Sequence, residues 1–510
     1  IGLLGALFHF KKNKNDAFVV LLFFFFTGLA IVLYLNQTPI QPRERDYAYA
    51  GSVYAFTIWI GIGVLWLFDL LLKRTSPKNA AIAAILIAAV APTLMGVQGW
   101  DDHDRSNRYT ARDMGRNYLE SCAPNAILFT QGDNDTYPLW YAQEVEGIRT
   151  DVRIVNLSLL GVDWYIDELR RKINGSEAVI LSMDSDSYRG SNRDYVRYYE
   201  NKSINQNQYY AINTVLDFIF SNDPKKMLDY GNDKSNYLPT KNIFIPVDKN
   251  EIIKGNVVQP SDTSKILDRI EWKLNKGTLL KNDILTLEIL RSNLWKRPIY
   301  FAISVSPDSY LGLNNYFQQE GLTYRLVPYV CKTNDRLPGA PQADLMYNNI
   351  MNKFAWGGVD KHEVYLDENV LRMVTNMRSN FSRLSAALIA AGKKDSAIKV
   401  LDKCMVVMPE YNVPLTPYDV GLAFNYSEAG AYDKSKKLLE RMLTITTDQL
   451  RYYTSQDAGT RRYFNDDINE GLYVINNCAN IAEKNGDKEF SDKAKATLEK
   501  YYNFYTPQNQ

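Results

Sequence analysis

The sequence predicts a multidomain protein: transmembrane α-helices, then an α/β soluble domain, then an α-helical repeat domain. Long charge-free apolar runs crowd the N-terminal fifth, strand and helix patterns alternate through the middle, and a helical motif recurs at a fixed offset in the tail. At 510 residues the chain exceeds what a single hydrophobic core serves. The divisions fall at 1–98, 99–375 and 376–510.

Residues 17–35 form a 19-residue run without a charge, 52–72 carry only Asp69, and 80–98 carry none. A helix needs about 20 residues to cross a hydrocarbon layer of about 30 Å, so each run is long enough to span. Residues 1–10 are too short and read as the tail of a span that starts upstream of Ile1. Asp69 precedes Lys73 by four residues, the spacing of an interfacial ion pair on one helix face. Lys11, Lys12 and Lys14 occupy one loop and Lys73, Arg74 and Lys78 another, with Arg43 and Arg45 in the loop between. Alternation with this weak basic bias puts the first and third loops in the cytoplasm and everything after Gln98 on the outer face.

In the middle loop, Pro39 and Pro42 enforce an extended path ahead of Arg43-Glu44-Arg45-Asp46. Two guanidiniums beside Tyr47 and Tyr49 suit a lipid phosphate, which arginine can fork onto with two hydrogen bonds. The competing reading is that Arg43 and Arg45 pair with Glu44 and Asp46 and merely fix the loop.

In the middle domain, residues 109–121 read as a helix, 126–130 as a buried strand, 137–146 as a helix and 152–157 as a second strand, a βαβ unit with parallel strands. A further helix is expected over 163–172 and further strands over 243–247 and 298–303, while the polar stretch 184–208 reads as a surface excursion. Ligands of such sheets bind beyond the carboxyl ends of the strands. Gly132-Asp133-Asn134-Asp135 occupies one such end. Its carboxylates suit a polar site for sugar or peptide hydroxyls, or hard oxygen ligands for a divalent cation; capping of the following helix explains them equally. Asp101, Asp102, His103, Asp104 and Arg105, just past the last span, form a second acceptor or polar-site candidate, or else a solvated junction. Asp102-His103-Asp104 and Asp133-Asn134-Asp135 both fit the D-x-D pattern that holds a metal diphosphate in nucleotide-sugar transferases. Nucleotide sugars are cytoplasmic, however, and the expected topology puts both tripeptides outside.

A net charge of +1 leaves no basic excess for nucleic acid. Cys122, Cys331, Cys404 and Cys478 lack C-x-x-C spacing, which argues against a zinc site; in an oxidising compartment they could pair, in a connectivity the sequence does not fix. In the tail, Ala391-Gly392 with Asp395, Leu401 and Cys404 recurs 38 residues on as Ala429-Gly430 with Asp433, Leu439 and Met442, and Gly486 opens a looser third copy. The pattern resembles tetratricopeptide repeats, whose stacked helix pairs offer a concave face to a partner; plain buttressing of the α/β domain is the alternative.

Four segments carry a wider resemblance: QPRERDYAY from Gln41, GWDDHDRS from Gly99, NAILFTQGDNDTYPLWYAQE from Asn125, and the region 297–328 with RPIYFA and YLGLNNYFQQEGLTYRLVP. The chain resembles a bacterial family, seen mostly in Bacteroidetes, of multi-pass membrane proteins classed as glycosyltransferase family 117. The likeness implies a GT-C architecture similar to protein O-mannosyltransferases. Such an enzyme sits in the bacterial inner membrane, here with residues 99–510 in the periplasm, and transfers sugar from a polyprenyl-phosphate donor to a protein or glycan acceptor hydroxyl. GT-C enzymes usually carry the catalytic carboxylate in the first extracytoplasmic loop. No such loop is seen here, so the catalytic residue is unassigned and the base is expected upstream of Ile1. Arg43 and Arg45 are then the candidates for binding the departing lipid phosphate. A membrane-anchored scaffold that recruits an envelope partner through the helical repeats is the alternative.

Overall fold

The computed structural model describes residues 1–37, 45–229, 234–255, 257–332 and 337–505. The chain divides into two compact units, Ile1–Ser106 and Asn107–Gln510.

The first unit is helical: α1 (Gly2–Lys12), α2 (Lys14–Phe26), α3 (Leu29–Leu35), α4 (Ala50–Leu72) and α5 (Pro77–His103). Lys14–Leu35, Asp46–Leu72 and Pro77–His103 are long and apolar enough to cross a membrane. Each charge-free run of the sequence lies inside one of these segments. Apolar side chains surround these helices, so their contacts are selected by size instead of polarity. The buried positions of α4, Ser52, Ala55, Trp59 and Gly63, recur at three- and four-residue spacing on one face. Against this face α1 brings Gly5, where an added Cβ would lie 1.9 Å from the Trp59 carbonyl oxygen; one added at Gly63 would lie 2.6 Å from the Ile1 carbonyl oxygen. The two backbones therefore touch, with no room for a side chain between them. The same device recurs where α2 gives way to α3: a Cβ on Gly28 would sit 2.6 Å from Ser52 Oγ, and one on Gly51 would sit 2.9 Å from Thr27 Cβ.

Close packing of α1 on α4 also changes the partner of Asp69. Lys12 Nζ lies 3.8 Å from its carboxylate, in place of the expected Lys73. Both groups are largely exposed and the pair contributes little. Arg43 falls in 38–44, outside the described residues. Arg45 is exposed and stands directly before the helical turn Asp46–Tyr49 that leads into α4.

The second unit is built on a mixed six-stranded sheet: β1 (Ile127–Thr130), β2 (Arg153–Asn156), β3 (Ile299–Ala302), β4 (Phe317–Gln319), β5 (Thr323–Leu326) and β6 (Ala340–Pro341), in the order β6-β4-β5-β3-β1-β2. β1 is parallel to both neighbours, with Phe129 opposite Val155 on β2 and Phe301 on β3. β5 runs antiparallel to β3 and β4. Every residue of β1 to β5 is buried, as expected where both faces are covered and strands read as continuous apolar runs. The Phe129 and Phe301 rings stack with centroids 4.8 Å apart, and Phe317 stacks on Tyr324 at 5.8 Å.

The strand Asn242–Pro246, expected in this sheet, pairs instead with Tyr210–Ala211 and Arg269–Lys273 in a separate three-stranded sheet. Its burial alternates, so it has one covered face and one open one, unlike the wholly buried strands of the main sheet. The excursion 184–208 also contributes a strand, Tyr195–Tyr198, paired on both sides.

Beyond the sheet, helices pair as hairpins: Glu368–Ala390 with Lys394–Val407, Val420–Glu428 with Tyr432–Ser455, and Asn465–Lys484 with Lys488–Tyr505. The recurring glycines make the turns, with Gly392, Gly430 and Gly486 at φ of +74°, +89° and +78°. The division drawn at 375/376 falls inside the helix Glu368–Ala390, which is bonded to the sheet: Gln319 donates to Asn380 Oδ1 at 2.6 Å, and Arg383 donates to Gln319 and, at 2.6 Å, to the Gly339 carbonyl. All four cysteines are free.

Replacing Gly5 by Leu should cost about 1–3 kcal/mol through overpacking, read as a lower thermal unfolding midpoint in detergent. Gly61→Leu is the control, since a Cβ there meets nothing within 4 Å.

Candidate functional site

Where parallel strands end, their last amides lose their ladder partners, and the loops that follow must satisfy them. At the carboxyl end of β1 this falls to Asp135. Its carboxylate accepts the N–H of Gln131 at 2.9 Å, the N–H of Gly132 at 3.0 Å and the hydroxyl of Ser304 at 2.6 Å. The first two bonds tie the strand end to the amino terminus of the helix Asp133–Glu144, the reach-back half of a capping box. The third ties the β1 loop to the β3 loop. Asp135 is itself buried.

Around it lies a layer of neutral polar groups. Asn156, at the end of β2, donates to the Gly132 carbonyl at 3.1 Å and to Thr136 Oγ1 at 2.9 Å, and its own side-chain oxygen accepts the Leu159 N–H. Thr130 and Thr136 share a hydroxyl hydrogen bond of 2.7 Å, and Ser158 donates to the Gln131 carbonyl. The Gln131 side chain accepts from the Ser306 N–H at 3.3 Å. Burial pushes the Tyr118 phenol above its ordinary value. The result is a polar cluster at the carboxyl ends of β1 and β3, on either side of which the chain continues in opposite directions across the sheet. Such a switch point is where open α/β sheets bind ligands. Asp133, Asn134, Ser158, Ser304 and Ser306 are exposed along its rim.

Of the residues singled out from the sequence, Asp133, Asn134 and Asp135 thus share one turn but differ in setting: the first two face solvent and the third is turned into the fold. Asp101, Asp102, His103, Asp104 and Arg105 belong to the other compact unit. Asp101, Asp102 and His103 occupy the last turn of α5, all exposed, with His103 Nδ1 2.7 Å from the Gly99 carbonyl oxygen. Two carboxylates at a helix carboxyl terminus oppose the helix dipole. Arg105 offsets this by donating to the Asp102 carbonyl at 2.6 Å and the Asp104 carbonyl at 3.1 Å. Asp104 accepts the Ser106 N–H at 2.7 Å, which holds its carboxyl below the usual range.

Among the described residues, no three His, Cys, Asp or Glu side chains come together as a metal-binding group. In the second D-x-D tripeptide Asp135 already accepts two amides and a hydroxyl. The polar groups around it are hydroxyls, amides and carbonyls bonded to one another. Asn156, Ser158, Ser304, Ser306 and Gln131 were not singled out from the sequence. The signal was there in Ser304-Val305-Ser306-Pro307-Asp308-Ser309, a polar run directly after a strand.

A family model, TMEM260-associated domain 2, matches residues 111–344, which is less than half of the chain and takes in the whole six-stranded sheet. Comparison with curated proteins and with solved structures gives no match.

Asp135→Asn keeps the shape but presents an amide N–H₂ to a site that needs only acceptors. It should cost about 1–3 kcal/mol, measured as a shift of the urea midpoint, with Ser304→Ala costing less because the backbone amides keep their carboxylate.

Proposed function

We propose that the chain belongs to a membrane glycosyltransferase that moves a sugar from a polyprenyl-phosphate donor to an acceptor hydroxyl on the extracytoplasmic face of a bacterial inner membrane. The observation that carries this reading is Arg45. It is an exposed guanidinium directly ahead of the membrane-crossing segment Asp46–Leu72, beside an exposed Tyr47. A charge that ends an apolar span sits at the depth of lipid phosphates, and an arginine there can bond a departing phosphate with two parallel hydrogen bonds. In this reading Arg43 shares that role and residues 99–510 lie in the periplasm. The general base is not assigned among the described residues.

A second reading has one observation in its favour. Tyr418 and Tyr463, in the short turns ahead of the second and third helical hairpins, are 80% and 86% exposed, with Tyr452 and Tyr473 on the hairpin helices also open to solvent. Amphipathic aromatic side chains of this kind are enriched where proteins meet. Here the hairpins, taken as tetratricopeptide-like, would recruit an envelope partner and the membrane helices would only anchor the chain.

Arg45→Ala, made in the native membrane protein, should lower sugar transfer from a polyprenyl-phosphate donor about 100-fold, in the range seen for loss of a single charge-stabilising donor, without change in the amount of folded protein. Undiminished transfer would remove the role. Sidedness is tested separately with Asn192→Cys, since Asn192 is exposed. With Cys331 replaced by Ser, a membrane-impermeant maleimide should label this position in intact spheroplasts, and labelling only after lysis would overturn the proposed topology.

A further inference from the structure

β2 is an edge strand, and its outer side carries a cavity of about 440 Å³. Arg153 and Ile154 of the strand line it, with Trp140 and Glu144 from the helix Asp133–Glu144, Trp164 and Glu168 from the helix Asp163–Leu169, and Asn174 from the loop beyond. The volume far exceeds the roughly 30 Å³ share of one water and falls within the range of small-molecule sites. It is separate from the polar cluster at the carboxyl ends of β1 and β3, being lined by the other half of β2.

Arg153 is the reason to expect a ligand. Its residue is 4% exposed, and although Nη2 donates to the Glu168 carbonyl at 2.8 Å, Nη1 is buried without an acceptor. A buried charged donor left unpaired carries a larger desolvation penalty than a neutral one, so an acceptor brought from outside would relieve it. Burial already draws the guanidinium below its ordinary value. The other lining groups narrow what that acceptor belongs to. Trp164 is 60% exposed, an unusual loss of apolar burial for an indole, and Trp140 is stiffened by Tyr137 stacked at 5.4 Å. Glu144 accepts from Asn174 Nδ2 at 2.7 Å through one oxygen, which leaves the other for a ligand.

We infer that this pocket binds a pyranose ring of a glycan. A pyranose presents hydroxyl oxygens that accept from Arg153, hydroxyl protons that donate to Glu144 and Glu168, and an apolar C–H face that lies against the indoles. A phosphate or carboxylate ligand would satisfy Arg153 but set a second anion against the two glutamates. A wholly apolar ligand would leave the guanidinium unpaired. The assignment stands apart from the transferase proposal, because a glycan-binding scaffold would use the same pocket and binding is read without turnover.

The test uses the whole chain in detergent, titrated with methyl glucoside, methyl galactoside, methyl mannoside and maltotriose while tryptophan fluorescence and binding heat are followed. At least one should bind saturably, and Trp164→Ala, an exposed position that leaves folding intact, should weaken it at least tenfold; Arg153→Met should do the same, with thermal unfolding checked in parallel. Absence of saturable binding by every sugar, or binding unaltered by Trp164→Ala, would overturn the inference. Saturable binding of inorganic phosphate or acetate lost in Arg153→Met would overturn it in favour of an anion site. Should the native membrane protein show no sugar transfer from a polyprenyl-phosphate donor while sugar still binds here, the transferase reading fails and this one survives.

Discussion

The second unit turns on the carboxylate of Asp135. Parallel strands bring their unpaired amides to one end, and something must accept from them before any loop there can hold a shape. One side chain does so for the end of β1, caps the next helix, and through Ser304 joins the loop after β3. That single acceptor holds the two loops together. Asn156 repeats the logic at the end of β2, where it bonds Gly132 and Thr136 and so couples the third loop to the first two.

The membrane unit is held by a different economy. In an apolar solvent burial of leucine against leucine gains little, and what distinguishes one helix pairing from another is how near the backbones come. Gly5 against Trp59 and Gly63 against Ile1 bring α1 and α4 to backbone contact. Over most of its length α5 shows the opposite character: only Ala80 and Ala84 are buried, while large apolar residues from Ile82 to Trp100 are exposed.

Much of this organisation could be read from residue order. The three spans follow from charge-free length, β1, β2 and β3 from short apolar runs, and the hairpin turns of the tail from Ala-Gly recurrences, because each is a local property of the chain. What escaped was set by partners distant in sequence. Ser304 meets Asp135 only through the sheet, 169 residues away. Asn242–Pro246 pairs in a separate sheet with Tyr210–Ala211 and Arg269–Lys273, a choice among strands that residue order alone does not make. Asp69 turned to Lys12 because glycines let α1 come close. The D-x-D tripeptides look alike as letters, yet Asp135 is turned inward and Asp104 caps a turn. Arg153, a charged side chain opening the wholly buried strand β2, was a local oddity that pointed to the cavity.

The bonds from Gln319 to Asn380 and from Arg383 to Gly339 have a consequence for how the molecule comes apart. They are buried amides and a buried guanidinium, which tolerate neither solvent-free separation nor partial replacement. The sheet and the first helical hairpin therefore rise or fall together, and a fragment cut at residue 376 would start midway along a helix, stripped of the surface that keeps its own polar groups paired. Evolution could lengthen the far end of this tail pair by pair, but the near end is welded in place.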